Sequence, residues 1–297
     1  MSVPENFYLQ RMKEEMLLRN YSPRTISSYL RCVVEFLVFL RENFKGKGEN
    51  KNESVPAVRQ QMTVENIYGN YETEIIRIFL LHKKSRNYAP ETINLYLNAI
   101  KFFYGNVLKS SFKIDIKFAR RNIKLPVVLA RDEIIRIISS LQNLKHRLAI
   151  ALAYGAGLRV SEVSNLKVQD LDFANGVMYI RNSKSRKDRV TLLPEKLVDD
   201  MRTLVKFREK KDYVFPGRNG KITARALQKV FNAALEKAGV GKSASFHSLR
   251  HSFATHLIEN GTSVIYVQEL LGHLNIRTTQ RYIHAAGAGV RLIKSPL

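Results

Sequence analysis

Forty residues, Ser245 to His284, constrain this chain more than any other stretch. They run through Ser245-Phe-His-Ser-Leu-Arg-His251, an amphipathic segment, Leu270-Leu-Gly-His-Leu274 and Arg281-Tyr-Ile-His284. His247 and Arg250 stand three apart, a spacing that puts both side chains on one face of a helix. That pair suits a phosphodiester. A guanidinium grips two non-bridging oxygens through its planar fork, and an imidazole can move a proton near neutral pH. His273 follows Gly272 in a stretch that reads as a helix-to-helix turn, and Tyr282 comes nine positions after it. Tyr282 is one of 13 tyrosines, and only its place after these phrases sets it apart.

The charge balance points to the same chemistry. The chain carries a formal net charge of +23, which implies a polyanionic partner, most simply nucleic acid. Both halves are basic, with 21 basic against 12 acidic residues up to Lys124 and 28 against 14 after it. Two lobes gripping one duplex fit that distribution better than one basic tail on a neutral body. A generally basic, ribosomal-type protein is the alternative that charge alone leaves open. The single cysteine, Cys32, excludes an intrachain disulfide and reads as a small buried hydrophobe. The opening Met1-Ser-Val-Pro-Glu-Asn6 lacks a basic-then-apolar signal pattern, and the longest uncharged apolar run, Leu148 to Leu158, is too short to span a bilayer. The expectation is a cytoplasmic protein without a membrane partner.

In the first half, Ser22-Pro23 reads as a helix start, and apolar residues at Ile26, Leu30, Val33, Leu37 and Leu40 give it one greasy face. Asn20-Tyr-Ser-Pro-Arg-Thr-Ile26 is echoed 67 residues later by Asn87-Tyr-Ala-Pro-Glu-Thr-Ile93. Further helices are expected over Phe7 to Arg19 and Glu72 to Lys84. The echo admits either a duplication or shared capping chemistry. The polar, glycine-rich stretch from Phe44 to Pro56 reads as a solvated loop. Residues 1–108 are thus expected to form a helical DNA-holding domain, 109–127 a basic linker and 128–297 a second domain. Arg24, Arg31, Lys83, Lys84, Arg86 and Lys101 are candidate phosphate contacts, as are Arg120 and Arg121 in the linker. A solvated helix face is the plainer reading of each. In the second half Arg225 and Lys229 lie four apart on a helix expected over Thr223 to Ala238 and could face a groove.

Ala153-Tyr-Gly-Ala-Gly-Leu-Arg159-Val-Ser-Glu162 is a further pointed phrase. A carboxylate three positions after an arginine can fix the guanidinium's orientation, although a local surface ion pair is common and worth little. Gly176 to Arg181 and Arg189 to Leu193 alternate as two strands joined by Asn182 to Asp188. A helix is expected to begin near Ala130-Arg-Asp-Glu133, with acids in its first turn. His247 and His251 stand four apart, as in some zinc helices. No glutamate follows the first, and no third ligand has suitable spacing, so no metal is expected.

Leu249-Arg-His-Ser-Phe-Ala-Thr-His256, Glu269-Leu-Leu-Gly-His273 and Thr278-Thr-Gln-Arg-Tyr282 closely resemble the catalytic core of the tyrosine site-specific recombinases, the family of phage integrases and Xer proteins. The resemblance is specific from Leu148 to His284 and looser before Lys109. It implies a mainly α fold with a small β-sheet (α+β), with a helical core-binding domain preceding a mixed α/β catalytic domain. It makes Arg159 and Arg250 the catalytic arginines, Glu162 a support for Arg159, and His247 the acceptor of the nucleophile's proton. His273 would donate to a phosphate oxygen, and Tyr282 would become esterified to a DNA 3′-phosphate. Lys184 stands where the family's leaving-group lysine sits, with Lys187 a competitor because Ser183 and Ser185 replace the usual glycines. The resemblance implies double-stranded DNA as partner and no cofactor. It further implies a dimer on one site, a tetramer in synapsis and a C-terminal tail docked on a neighbouring subunit. The expectation is a chain without the arm-binding domain of larger phage integrases, and so an Xer-like enzyme of chromosome dimer resolution or element integration. Two rivals stand beside this reading: a type IB topoisomerase-like relaxing enzyme, and a DNA-binding protein without catalysis.

Overall fold

A computed structural model of the chain describes residues 3–44, 72–111, 113–120, 125–181, 188–218 and 220–272. The chain divides into two compact units, Met1–Ile123 and Lys124–Leu297.

The first unit is built from α1 (Val3–Leu18), α2 (Pro23–Phe44), α3 (Glu72–Ser85) and α4 (Pro90–Phe102). The echoed phrase is one corner made twice. Asn20 and Asn87 both sit in the left-handed region, at φ 57° and 59°, a conformation asparagine tolerates better than most residues. In each corner the asparagine N–H and the next tyrosine N–H turn back onto carbonyls of the helix just ended, Leu17 and Met16 in one, Lys84 and Lys83 in the other. Proline then opens the next helix. Ser22 caps α2 by accepting from the Thr25 N–H at 3.1 Å, whereas Ala89 has no side chain with which to cap α4.

The apolar faces meet in a core that includes Met12, Met16, Phe36, Phe79, Leu97 and Ile100, all buried. Each such side chain contributes about 1.5–3 kcal/mol by leaving water. Cys32 is buried as expected, and burial pushes its thiol up to about 11. One polar cluster lies inside this unit. The Lys83 ammonium donates to Glu35 Oε2 at 2.7 Å, and the Tyr96 hydroxyl donates to the same oxygen. Lys83 also faces the Tyr96, Phe79 and Tyr88 rings at 4.8, 5.2 and 5.3 Å. This corrects the expectation that Lys83 reaches a phosphate: it is 6% exposed and its charge is already matched. Lys101 is redirected too. Its ammonium donates to the Ile116 carbonyl at 3.1 Å and lies over the Phe118 ring. Buried Asn94 pairs with both backbone groups of Ala119, and Ile114 enters the core. The described part of the basic connector is therefore fastened to the first unit up to this point.

The second unit begins with α5 (Arg131–Ser139), α6 (Leu144–Gly155) and α7 (Val160–Asn165). Ala130 cannot cap α5, but Glu133 accepts from the Ala130 N–H at 2.7 Å and binds Lys242, so half of a capping box survives. A three-stranded antiparallel sheet follows in the order β1 (Leu171–Asp172), β2 (Val177–Ile180), β3 (Arg189–Leu192). The two-residue β1 is too short to leave an alternating pattern in the sequence. Helices α8 (Val198–Val205), α9 (Ala224–Lys237), α10 (Phe246–Glu259) and α11 (Val264–Leu271) follow among the described residues. Thr223 caps α9 by accepting from the Ala226 N–H at 3.1 Å. The fold class is the expected one, mainly helical with a small sheet.

The phase of β3 is not what its hydrophobicity suggests. Val190 and Leu192 are exposed at 48% and 43%, while Arg189 and Thr191 point inward. Pairing of Ile180 with Arg189 and of Met178 with Thr191 fixes this register. Thr191 is fully enclosed and donates its hydroxyl to the Ala156 carbonyl at 3.0 Å. The polar face of β3 is thus spent on holding the turn between α6 and α7.

Candidate active site

That turn carries the Gly157-Leu-Arg159 phrase. Gly157 takes φ 63°, and a β-carbon there would lie 2.4 Å from the Phe253 ring and 2.9 Å from Leu271. Only glycine fits both constraints. The turn delivers Arg159 to the N-cap of α7, where Glu162 is the third helical residue. Glu162 closes back on Arg159, accepting from its backbone N–H at 2.8 Å and its Nη1 at 2.7 Å.

Glu162 is also the hub of a wider cluster. Arg189 presents a bidentate fork, Nη1 and Nη2 each donating to a Glu162 oxygen at 2.8 Å. Arg250 Nη1 lies 3.7 Å from Glu162 Oε2. Burial alone would raise the Glu162 pKa. The Arg189 hydrogen bonds and charge, the Arg159 N–H and the Arg250 charge outweigh it and hold the carboxyl at about 2. Among the described residues, three guanidiniums thus share the Glu162 carboxylate.

Exposure is graded across the cluster. Glu162 and Arg189 side chains are 4% and 7% exposed, while Arg159 is 24% exposed and reaches the surface. Arg250 was expected to face a phosphate directly. It is instead fully buried, with Nη1 donating to the Gly157 carbonyl at 2.6 Å and Nη2 to the Leu271 carbonyl at 2.5 Å. His247 lies one helical turn before Arg250 on the surface of α10, its ring edge-on to His251 with centroids 4.5 Å apart. Crowding by the protein, and then the charges of Arg250 and Arg159, hold the His247 pKa below 6.5. The imidazole is therefore neutral near pH 7 and can accept a proton. His256 packs within the fold: its Nδ1 pairs with the Tyr154 hydroxyl at 2.8 Å.

The structure thus brings together Arg159, Glu162, His247 and Arg250 from the expected set. Lys184, with its competitor Lys187, and His273, Tyr282 and Arg121 lie outside the described residues. Arg24, Arg31, Lys84, Arg86, Arg120, Arg225 and Lys229 are exposed. Arg189 was not anticipated. Its signal lay in the strand's phase: counting inward from buried Leu193 in steps of two reaches Thr191 and then Arg189.

A surface arginine backed by two buried guanidiniums is an arrangement suited to an anion such as a phosphodiester. Residues 127–288 match the model of the phage integrase family, and residues 8–114 match that of the phage integrase N-terminal SAM-like domain. An integrase/recombinase of Escherichia coli is 31% identical, over 97% of this chain and 92% of its own. Tyrosine recombinase XerA of Thermococcus kodakarensis is 36% identical, over 69% of this chain and 74% of its own. The fold is shared with the Tn1549 transposon integrase solved in complex with a circular intermediate DNA, at TM-score 0.70 and 20% identity, over 96% of this chain and 99% of that one. The chain belongs to the phage integrase family, the tyrosine recombinases.

Proposed function

We propose that the chain is a site-specific DNA recombinase that cuts and rejoins strands through a 3′-phosphotyrosine at Tyr282. The observation that carries this reading is the arginine cluster: among the described residues, three guanidiniums meet on one carboxylate, which opens to the surface at Arg159, with His247 on the helix that carries Arg250. Such a site attracts a phosphodiester and offers fixed donors where charge builds at phosphorus.

The steps follow from the residue chemistry. Arg159 donates to a non-bridging oxygen, and Arg250 supplies positive charge from beneath. The Tyr282 oxygen attacks phosphorus as its proton passes to His247; a phenol of pKa about 10 needs such an acceptor near neutral pH. The bond from phosphorus to the 5′-oxygen breaks, and Lys184 protonates the departing oxygen. His273 adds a donor to the phosphate. The ester conserves the energy of the phosphodiester, so a 5′-hydroxyl from a second strand can attack it and release Tyr282.

The working form in this reading is a dimer on each DNA site and a tetramer when two sites pair, with the segment after Tyr282 docked on a neighbouring subunit. Its setting is the cytoplasm, and no helix among the described residues is long and apolar enough to cross a membrane.

A pool of nicked duplexes with randomised flanks tests the chemistry. Wild type is expected to form a denaturant-resistant adduct whose selected sequence then serves as substrate. Tyr282→Phe is expected to form none, and a Tyr282→Phe protein that still gives the adduct refutes the assignment. Recombinant products between two such duplexes separate strand exchange from simple relaxation. Removing residues 288–297 is expected to abolish pairing of the two sites; unchanged pairing ends the docking idea.

A further inference from the structure

We infer that Arg189 is a positioning residue of the cleavage site, a strut that fixes the end of α11 against Glu162 and so against Arg159. The inference rests on the recombinase reading and adds a residue to it.

Arg189 spends all three nitrogen positions of its guanidinium. Nη1 and Nη2 fork onto Glu162, and Nε donates to the Leu270 carbonyl at 2.8 Å. Leu270 and Leu271 lie in the last turn of α11, where carbonyls lack partners within their own helix. Arg250 takes the Leu271 carbonyl, so two guanidiniums clamp this helix end. A cation is favoured there by the helix dipole as well. The next residue, Gly272, turns left-handed at φ 61°, and a β-carbon on it would meet Arg189 Cδ at 2.8 Å. Backbone and side chain are therefore fitted to each other where the chain departs toward His273.

At its other end Arg189 opens β3, paired with Ile180 across the mouth of the hairpin whose connection carries Lys184. One side chain thus ties together three segments: the Arg159–Glu162 turn, the hairpin base and the end of α11. No atom of Arg189 needs to touch the phosphate for this. Lysine cannot replace it, because an ammonium is a point charge without a planar fork.

The test compares Arg189→Lys and Arg189→Gln with wild type on the nicked duplex selected by wild type. At saturating DNA, Arg189→Lys should slow adduct formation about 10- to 100-fold, as loss of an orienting contact does elsewhere, with duplex affinity within about threefold. Arg189→Gln should be slower still, again with duplex affinity little changed. The split between rate and affinity is the diagnostic: general destabilisation lowers the folded fraction, whereas a misplaced Arg159 slows the chemistry on DNA that is still bound. An Arg189→Lys rate within threefold of wild type overturns the inference. So does loss of the cooperative thermal transition in both variants, which would assign Arg189 to stability alone. Absence of any wild-type adduct instead refutes the recombinase reading, and this inference falls with it.

Discussion

A carboxylate anchors a cluster of cations in each unit, part-exposed Glu35 in the first and buried Glu162 in the second, and the two clusters differ in the cations they gather. In the first unit Glu35 meets one ammonium and one phenol, and the ammonium is boxed by three aromatic faces. Lys83 is its ion-pair partner among the described residues, and Arg31 adds its charge at longer range. Burial would raise the Glu35 pKa, but hydrogen bonds from Lys83 and Tyr96 hold it below its ordinary value. In the second unit Glu162 meets three guanidiniums, and the cluster reaches the surface at Arg159. A cluster built on a single ion pair locks a fold. One that gathers several guanidiniums and opens to the surface raises the local potential felt by an anion. Burial of an ion pair is therefore a poor guide to function by itself; the cations gathered and their route to solvent separate the two cases.

The contrast breaks most visibly at Arg159. Arg159→Ala should slow DNA cleavage about 100- to 1,000-fold, the usual cost of removing one donor aimed at developing charge. Its thermal midpoint should move little, because Glu162 keeps the Arg189 fork. Single-turnover adduct formation and a melting curve check both halves. If Arg159→Ala unfolds while cleaving normally, the second cluster is structural like the first.

Glu162→Gln should instead damage both properties, because it leaves three guanidiniums facing one another. Holding the carboxyl at about 2 rather than its ordinary 4.5 corresponds to about 3 kcal/mol of linkage. The folded pKa is the lower one, so this stabilisation is complete above pH 4.5 and is lost as pH falls toward 2. Wild type should therefore lose stability steeply across that window, and Glu162→Gln should show a flatter loss there by denaturant titration.

What the residues disclosed in advance follows the same division. His247 and Arg250 were legible as a pair because an imidazole and a guanidinium three apart suit a phosphate, whereas Arg159 and Glu162 were picked out by the family resemblance and alone read as a surface ion pair. The helical faces were legible because apolar positions recur at helical intervals. Lys83 was misjudged because a lysine at the end of an amphipathic helix looks solvated; the aromatic rings that enclose it come from Phe79, Tyr88 and Tyr96, and Glu35 arrives from 48 residues away. Arg189 was passed over because Val190 and Leu192 look like the inward residues of β3, and only the register across the sheet reverses that. Direct contact of Arg250 with phosphate was expected because sequence carries no information on which backbone carbonyls come near a side chain.

In the first unit, Lys83→Met should cost about 1–3 kcal/mol by leaving a partly buried carboxylate without its charged donor. The selected duplex should still be cleaved at the wild-type rate once bound. A loss of cleavage at saturating DNA would show that the first cluster is not merely structural.

The smallest expected effect is the most discriminating, because it reads the field of the second cluster directly. His247 is held below 6.5 by crowding first and by Arg250 and Arg159 next. Arg159→Gln removes one of those charges while leaving the helix that carries His247 intact. The ring's pKa should rise toward 6.5 by a fraction of a unit, on the order of a few tenths, for a screened charge near the surface. Titration of the His247 ring by NMR measures this without requiring turnover. Added salt should narrow the difference between the two proteins, since part of the interaction passes through solvent. Lys83→Met, which changes charge by the same amount in the other unit, should leave His247 where it was. Equal shifts from both variants would mean that His247 responds to net charge at large. A shift from Arg159→Gln alone ties its proton affinity to the guanidinium beside it, and in the proposed mechanism would tie the pH at which Tyr282 is activated to the charge that would hold the phosphate.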